Sequence, residues 1–261
     1  MRPRPLMTST ISYDDIRAKT RELFRGEGRA MLFPCFAVWA FSMLSDVLMR
    51  AVGMALPQTG DDAGFVTTFL SIGANLGAAI LEYGLAICAL RLALGLEIDQ
   101  RTILLAFRDP FRSVLALIGM GLLVIAFSIL LIVPGVAAYV MLYPTLFILA
   151  GSRETGIFEA YGRSMAVTKG SRWTLFRLIL IYEGPAVITA MLLAIAGTRL
   201  FNDAADAPYL VLANALATLL VSLILIPRLQ ISTALYYVEA LSLAGASSGT
   251  PVWTESPGRT E

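Results

Sequence analysis

The chain has 261 residues, of which 57% are hydrophobic and only 15% charged, against about 45–50% and about 25% in soluble globular proteins. That excess excludes an ordinary soluble domain and marks an integral membrane protein, while a net charge of +1 gives no reason to expect a nucleic-acid partner. No histidine is present, which removes histidine zinc ligation, the Ser-His-Asp triad and histidine proton relays together.

Residues 1–10 read as a short unstructured lead. A helix follows: Ser12-Tyr13-Asp14-Asp15 fits a capping box, with Ile11 and Ile16 at the spacing of a hydrophobic staple and Gly26 as its stop. Tyr13, Ile16, Leu23 and Phe24 share one face, with Arg17, Lys19, Arg21 and Arg25 largely elsewhere. This predicts an amphipathic helix lying on an anionic membrane surface; packing on a soluble partner is the alternative. The first apolar run starts only at Met31 and is too long for a signal h-region, so it is expected to remain as a membrane span.

Six apolar stretches then fill the chain: 31–56, 65–96, 113–133, 136–151, 173–197 and 208–241. Backbone polar groups in lipid must be satisfied within the segment, so each is read as a transmembrane helix. Val114 to Ala150 would make about 55 Å of helix, too long for one crossing of about 30 Å, and Pro134-Gly135 is the expected turn. The fourth stretch is short and contains Pro144; tilting little, thinning the bilayer locally and partial re-entry are all open to it. Lys and Arg alternate between connections. The N-terminal segment, 97–112 and 152–172 are basic; 57–64 has neither residue, and 198–207 has only Arg199. This pattern predicts cytoplasmic N- and C-termini in a cell (inner) membrane. The connections 101–108 (Ile103, Leu104, Phe107) and 153–170 (Ile157, Phe158, Tyr161, Met165, Thr168) read as amphipathic helices. With the first helix they would form a basic collar against anionic headgroups. From Gly245 the tail is Ser/Gly/Pro/Thr-rich and reads as disordered.

Polar side chains within the spans are the only places for chemistry, because a charge at the bilayer centre costs about 2.5–3.5 kcal/mol on insertion scales. Asp46 and Arg50, four residues apart, predict a local ion pair. Glu82 has two candidate partners, Arg177 and Arg228; alternatively each arginine snorkels separately to the headgroups. Glu183 falls about 15 Å beyond Trp173, near the midplane, two residues before a kinking Pro185. A midplane acid beside a broken helix suits an ion-coupled carrier; a neutral Glu183 hydrogen-bonded to Asn75 is the structural reading. Gly73, Gly77 and Gly84 form a smooth stripe for helix packing, either within the bundle or between copies. Cys35 and Cys88 lie inside apolar runs and read as small buried hydrophobes.

Gly245-Ala-Ser-Ser-Gly249 matches a nucleophile-elbow pattern but lies in the tail, with no histidine to activate Ser247. There is no phosphate-cradling glycine loop and no metal-ligand spacing. Ile132-Val-Pro-Gly135, Tyr143 to Ala150, Glu159-Ala-Tyr-Gly-Arg-Ser164 and Lys169-Gly-Ser-Arg-Trp173 stand in a row. In this series the chain resembles a group of bacterial integral-membrane proteins of unknown function, itself similar to the membrane domain of glycerophosphoryl diester phosphodiesterases. The resemblance implies six spans and no catalytic residue, since the phosphodiesterase chemistry belongs to a separate soluble barrel.

The expected architecture is therefore all-α and polytopic: an N-terminal amphipathic segment 1–30, a six-helix membrane domain 31–244 and a tail 245–261. The leading functional expectation is a non-enzymatic scaffold or accessory protein contacting lipid, a membrane protein partner or a second copy, without cofactor or metal. A small-solute or ion-coupled transporter using Glu183 is the alternative. The excess of Arg over Lys hints at a GC-rich bacterial genome.

Overall fold

The computed structural model describes residues 11–55, 61–152, 154–185, 187–189, 191, 192, 195 and 208–248. Among these the chain is helical, without strands. In order, the helices are α1 (Tyr13–Gly26), a 3-10 turn (Gly28–Met31), α2 (Leu32–Ala55), α3 (Asp61–Ala93) and a 3-10 helix (Thr102–Arg108). Then come α4 (Pro110–Leu130), α5 (Ile132–Leu142), α6 (Thr145–Gly151), α7 (Ile157–Val167), α8 (Arg172–Tyr182), α9 (Pro208–Ile224) and α10 (Ile226–Ser248). Five described segments are long and apolar enough to span a membrane: Gly28–Ala55, Gly64–Ala93, Pro110–Leu130, Val133–Gly151 and Ala215–Leu243. The fifth predicted stretch, 173–197, lies partly outside the described residues; the connection after it, residues 1–10 and most of the tail lie outside them. α10 nevertheless stays helical through Ser248, past the predicted boundary at Gly245.

α4 and α5 form a tight antiparallel hairpin, but its turn is not at Pro134-Gly135. The chain reverses at Leu131, which is extended (φ −168°, ψ 145°). Pro134 sits in the first turn of α5, where its missing N–H leaves no bond unmade. Gly135 is required by the crossing, since a Cβ there would lie 2.9 Å from the Ser128 backbone. Three helical segments are interrupted, each at or just before a proline: at Tyr143-Pro144, at Glu183 before Pro185 and at Leu225 before Pro227. Each proline lacks the N–H that would reach the carbonyl four residues back.

The side chains divide the molecule by depth. Towards the end carrying the basic connections (hereafter the basic end), Met31, Cys35, Leu85, Cys88, Leu92, Phe147, Leu149, Ile231 and Ala234 make a closed core. A second cluster joins Ile11 and Ile16 to Leu175, Leu178, Leu229 and Tyr236. Cys35 and Cys88 are buried free thiols, as expected. Bonds to backbone carbonyls tie this end across elements: Tyr83 to Leu149 (3.0 Å), Ser164 to Met141 (2.7 Å) and Tyr161 to Ala116 (2.5 Å). Burial raises the Tyr161 pKa, so its hydroxyl stays protonated as a donor. Arg112 donates to the Ser152 and Thr155 carbonyls just beyond α6, a cationic cap for that helix end. Towards the far end, Leu44, Met54, Phe65, Leu122, Ile129 and Val133 are exposed, the pattern expected of a lipid-facing surface. There α2 and α3 enclose an apolar groove of about 570 Å³ lined by Phe41, Leu48, Phe65 and Phe69.

The glycine stripe splits in the same way. A Cβ at Gly77 would meet the Phe41 ring at 2.5 Å, and one at Gly84 would meet the Ile103 carbonyl at 2.7 Å, whereas Gly73 faces open space. The stripe thus serves contacts inside the bundle at two of its three positions.

Three expectations about the basic connections are corrected. α1 begins after Ser12 as predicted, but Ser12 makes no side-chain cap bond. Its apolar face is covered by protein rather than lipid headgroups: Ile16 and Thr20 are buried, and the helix packs against α8 and α10. Residues 102–108 form a 3-10 helix, whose period of about three residues buries Ile103 and Ala106 together and turns Leu104 and Phe107 outward. In α7 the buried face is Ala160, Tyr161 and Ser164, while Phe158 is 89% exposed.

Candidate functional site

The polar residues singled out in the apolar stretches separate into those that stand alone and those that converge. Asp46 and Arg50 are both exposed on α2, and no ion pair joins them; their Cβ atoms share a face, but open surroundings impose no pairing. Glu82 meets neither arginine. Arg177 lies 5.5 Å from the Trp173 ring centre and Arg228 5.0 Å from that of Phe24, so each cation rests on an aromatic face. Trp173 also stacks on Phe176, at 5.2 Å between ring centres.

Glu82 and Glu183 instead lie within electrostatic reach of each other, and both act on Tyr139 and Tyr143. Three helices build this cluster. α3 supplies Glu82, open to its surroundings between buried Leu81 and Tyr83. α5 supplies Tyr139, with Tyr143 one turn on at its C-terminus; the rings meet edge to face at 5.5 Å. The end of α8 supplies Glu183, the first residue after the helix stops, held by its N–H to the Ile179 carbonyl at 2.7 Å. The Tyr139 hydroxyl spans the Glu183 carboxyl, at 2.9 Å from Oε1 and 3.0 Å from Oε2. Asn75, the partner expected from depth alone, instead donates to the Ser71 carbonyl of its own helix at 2.7 Å. Among the described residues, the Glu82 carboxyl has no hydrogen-bond or ion-pair partner.

Sequence reasoning singled out both acids but missed the tyrosines. The available signal was Tyr139 and Tyr143 at i, i+4 just before Pro144, a polar pair at a helix break. Chemically the arrangement offers two carboxylates and two phenols, with Tyr143 and Glu183 at helix interruptions and Glu82 and Tyr139 within continuous helices, a set able to bind a proton or a small cation. No group of three or more Asp, Glu, Cys or His suited to a bound metal ion occurs among the described residues.

A family model described as a protein of unknown function, DUF975, matches residues 112–244, just over half of the chain. The match holds Tyr139, Tyr143, Glu183 and Arg228 and leaves Glu82 outside it. No curated protein and no solved structure matches. The resemblance drawn from the Ile132 to Trp173 series is met as far as a family of unknown function; nothing found links it to a phosphodiesterase membrane domain. This helical chain, with its broken helices and their acid–tyrosine cluster, belongs to the DUF975 family.

Proposed function

We propose that the protein is a small-solute carrier coupled to a proton or monovalent cation held between Glu82 and Glu183. The observation that carries this reading is that two acids from separate helices lie within electrostatic reach of each other, one bonded to Tyr139 and the other without a protein partner among the described residues. Two like charges in a low-dielectric surrounding repel, and sharing a proton or cation relieves that repulsion. Interrupted helices at mid-depth are where transporters place substrate and coupling ions, and two of the three interruptions border this cluster.

Within this proposal, the stretch 173–197 supplies a sixth crossing. The basic end then faces the cytoplasm of a bacterial inner membrane, with both termini on that side. The likeness to the membrane domain of glycerophosphoryl diester phosphodiesterases is retained as part of the proposal and adds no chemistry. The protein acts without catalytic turnover. A second reading, a scaffold or accessory protein contacting lipid, a membrane partner or another copy, is favoured by the exposed arginines of the docked α1.

The test is proton flux into liposomes holding the purified protein and a trapped pH indicator, under an imposed pH gradient, with pools of small metabolites added outside. The carrier reading expects a solute-dependent flux that falls at least about tenfold in Glu183→Gln while that variant keeps its helical content and elution. Undiminished flux in Glu183→Gln, or no pool that stimulates flux, leaves the scaffold reading in its place.

A further inference from the structure

Away from the carboxyl cluster, a second group of charges meets where α1, α8 and α10 join. Tyr182, the last residue of α8, lies in the field of Arg17 and Arg21 from α1 and Arg228 from α10, with Tyr13 beside it. Tyr13, Arg17, Arg21 and Phe24 recur at three- and four-residue spacing and so line one strip of α1. The strip is fixed in place. The Thr174 hydroxyl donates to the Ile11 carbonyl at 3.1 Å, Lys19 pairs with Glu239 at 3.1 Å, and the Arg228 guanidinium rests on Phe24.

Arg17, Arg21 and Arg228 thus all act on one phenol where α1 packs on α8 and α10, and no carboxylate is at ion-pair distance from any of them among the described residues. Arg228 is the most telling. It lies within the apolar segment Ala215–Leu243 and is half-buried, with an aromatic face but no carboxylate against it, so an anion is its natural complement. A guanidinium presents a planar fork that fits two oxygens of one phosphate, and phenol hydroxyls add donors at its edge. An acyl-chain ligand also suits the position, since the cluster sits where an apolar span meets an interfacial helix.

We propose that α1, α8 and α10 frame a binding site for the phosphate headgroup of an anionic phospholipid, held by Arg17, Arg21 and Arg228 with Tyr182 at its edge. The site is separate from the Glu82–Glu183 pair and gives the lipid-contacting reading a ligand; carrier function stands or falls independently of it. The bound lipid would bridge the docked helix to the bundle, so lipid and α1 would stabilise each other.

Native mass spectrometry of the full chain, released from detergent with phosphatidylglycerol or phosphatidylcholine, tests it. Wild type is expected to retain one phosphatidylglycerol in preference to phosphatidylcholine, with retention reduced on the order of tenfold in Arg228→Gln and in Arg17→Gln/Arg21→Gln. A charge-matched control, Arg101→Gln/Arg108→Gln, is expected to retain the lipid. The α1 variants change exposed residues and keep the test open if Arg228→Gln fails to fold. Equal retention of the two lipids, equal loss in the control, or undiminished retention in the α1 variants would overturn the proposal. So would displacement of the lipid by millimolar inorganic phosphate, which would make this a site for free phosphate. Proton flux, measured separately, reports only on the carboxyl pair.

Discussion

The basic end and the far end of the molecule are built from the same kinds of residue by different rules. At the basic end, side chains such as Tyr236, Phe147 and Leu175 are fully buried, and hydrogen bonds cross between α3 and α6, α4 and α7, and α5 and α7. At the far end, Met54, Ile129 and Val133 are 81%, 80% and 77% exposed, and the described polar link between α2 and α9, Trp39 to Thr218 at 3.2 Å, lies nearer the packed half. The difference follows from the solvent. Lipid tails are as apolar as leucine, so helices crossing them gain little by burying apolar faces and rely on small residues and polar contacts. In α1, α7 and the 3-10 helix, which lie outside the candidate spans, water drives burial in the ordinary way. The carboxyl cluster lies between these regimes, at the rim of the packed half.

The comparison is broken most forcefully by cutting into the packed half. Tyr236→Ala removes a fully buried ring and its 2.5 Å bond to Ser171 and is expected to cost about 3–5 kcal/mol. Leu44→Ala at the exposed far end is expected to stay within about 1 kcal/mol; denaturant titration in mixed micelles reads both. The glycine stripe sharpens the contrast inside one helix. Gly84→Val must displace the backbone at Ile103 and is expected to cost about 1–3 kcal/mol, whereas Gly73→Val meets open space and should be close to neutral. Equal effects at the two glycines would show that the halves do not differ as described.

Tyr139→Phe probes the rim. It removes the hydrogen bonds to Glu183 and leaves the ring, so flux is expected to fall about tenfold while stability changes by about 1 kcal/mol. Smallest of all, Lys19→Ala breaks an exposed ion pair and should change stability by less than about 1 kcal/mol, visible only at low salt.

Hydropathy made five of the six expected apolar stretches legible as helices long enough to cross a membrane, because lipid permits only backbone-satisfied segments. What it left open were directions around each helix axis. Asn75 and Glu183 were matched by depth, yet depth is a single coordinate; Tyr139 is the group that faces the acid. Charge sign pointed Glu82 towards arginines, but Arg177 and Arg228 had aromatic neighbours four residues away or across a helix contact that no local pattern specifies. The Pro134-Gly135 turn misplaced the reversal by three residues because proline suits the first turn of a helix as well as the loop before it. An amphipathic α1 was plain in the sequence, but a hydrophobic face does not state whether lipid or protein will cover it.

The central claim is that Glu82 and Glu183 act as one site, and a double-mutant cycle on proton flux tests it most directly. Glu82→Gln, Glu183→Gln and the double variant, each shown to fold, would be compared in the same liposomes. The account predicts that either single change loses nearly as much as both together. Losses that multiply independently, or a Glu82→Gln protein with wild-type flux, would contradict it.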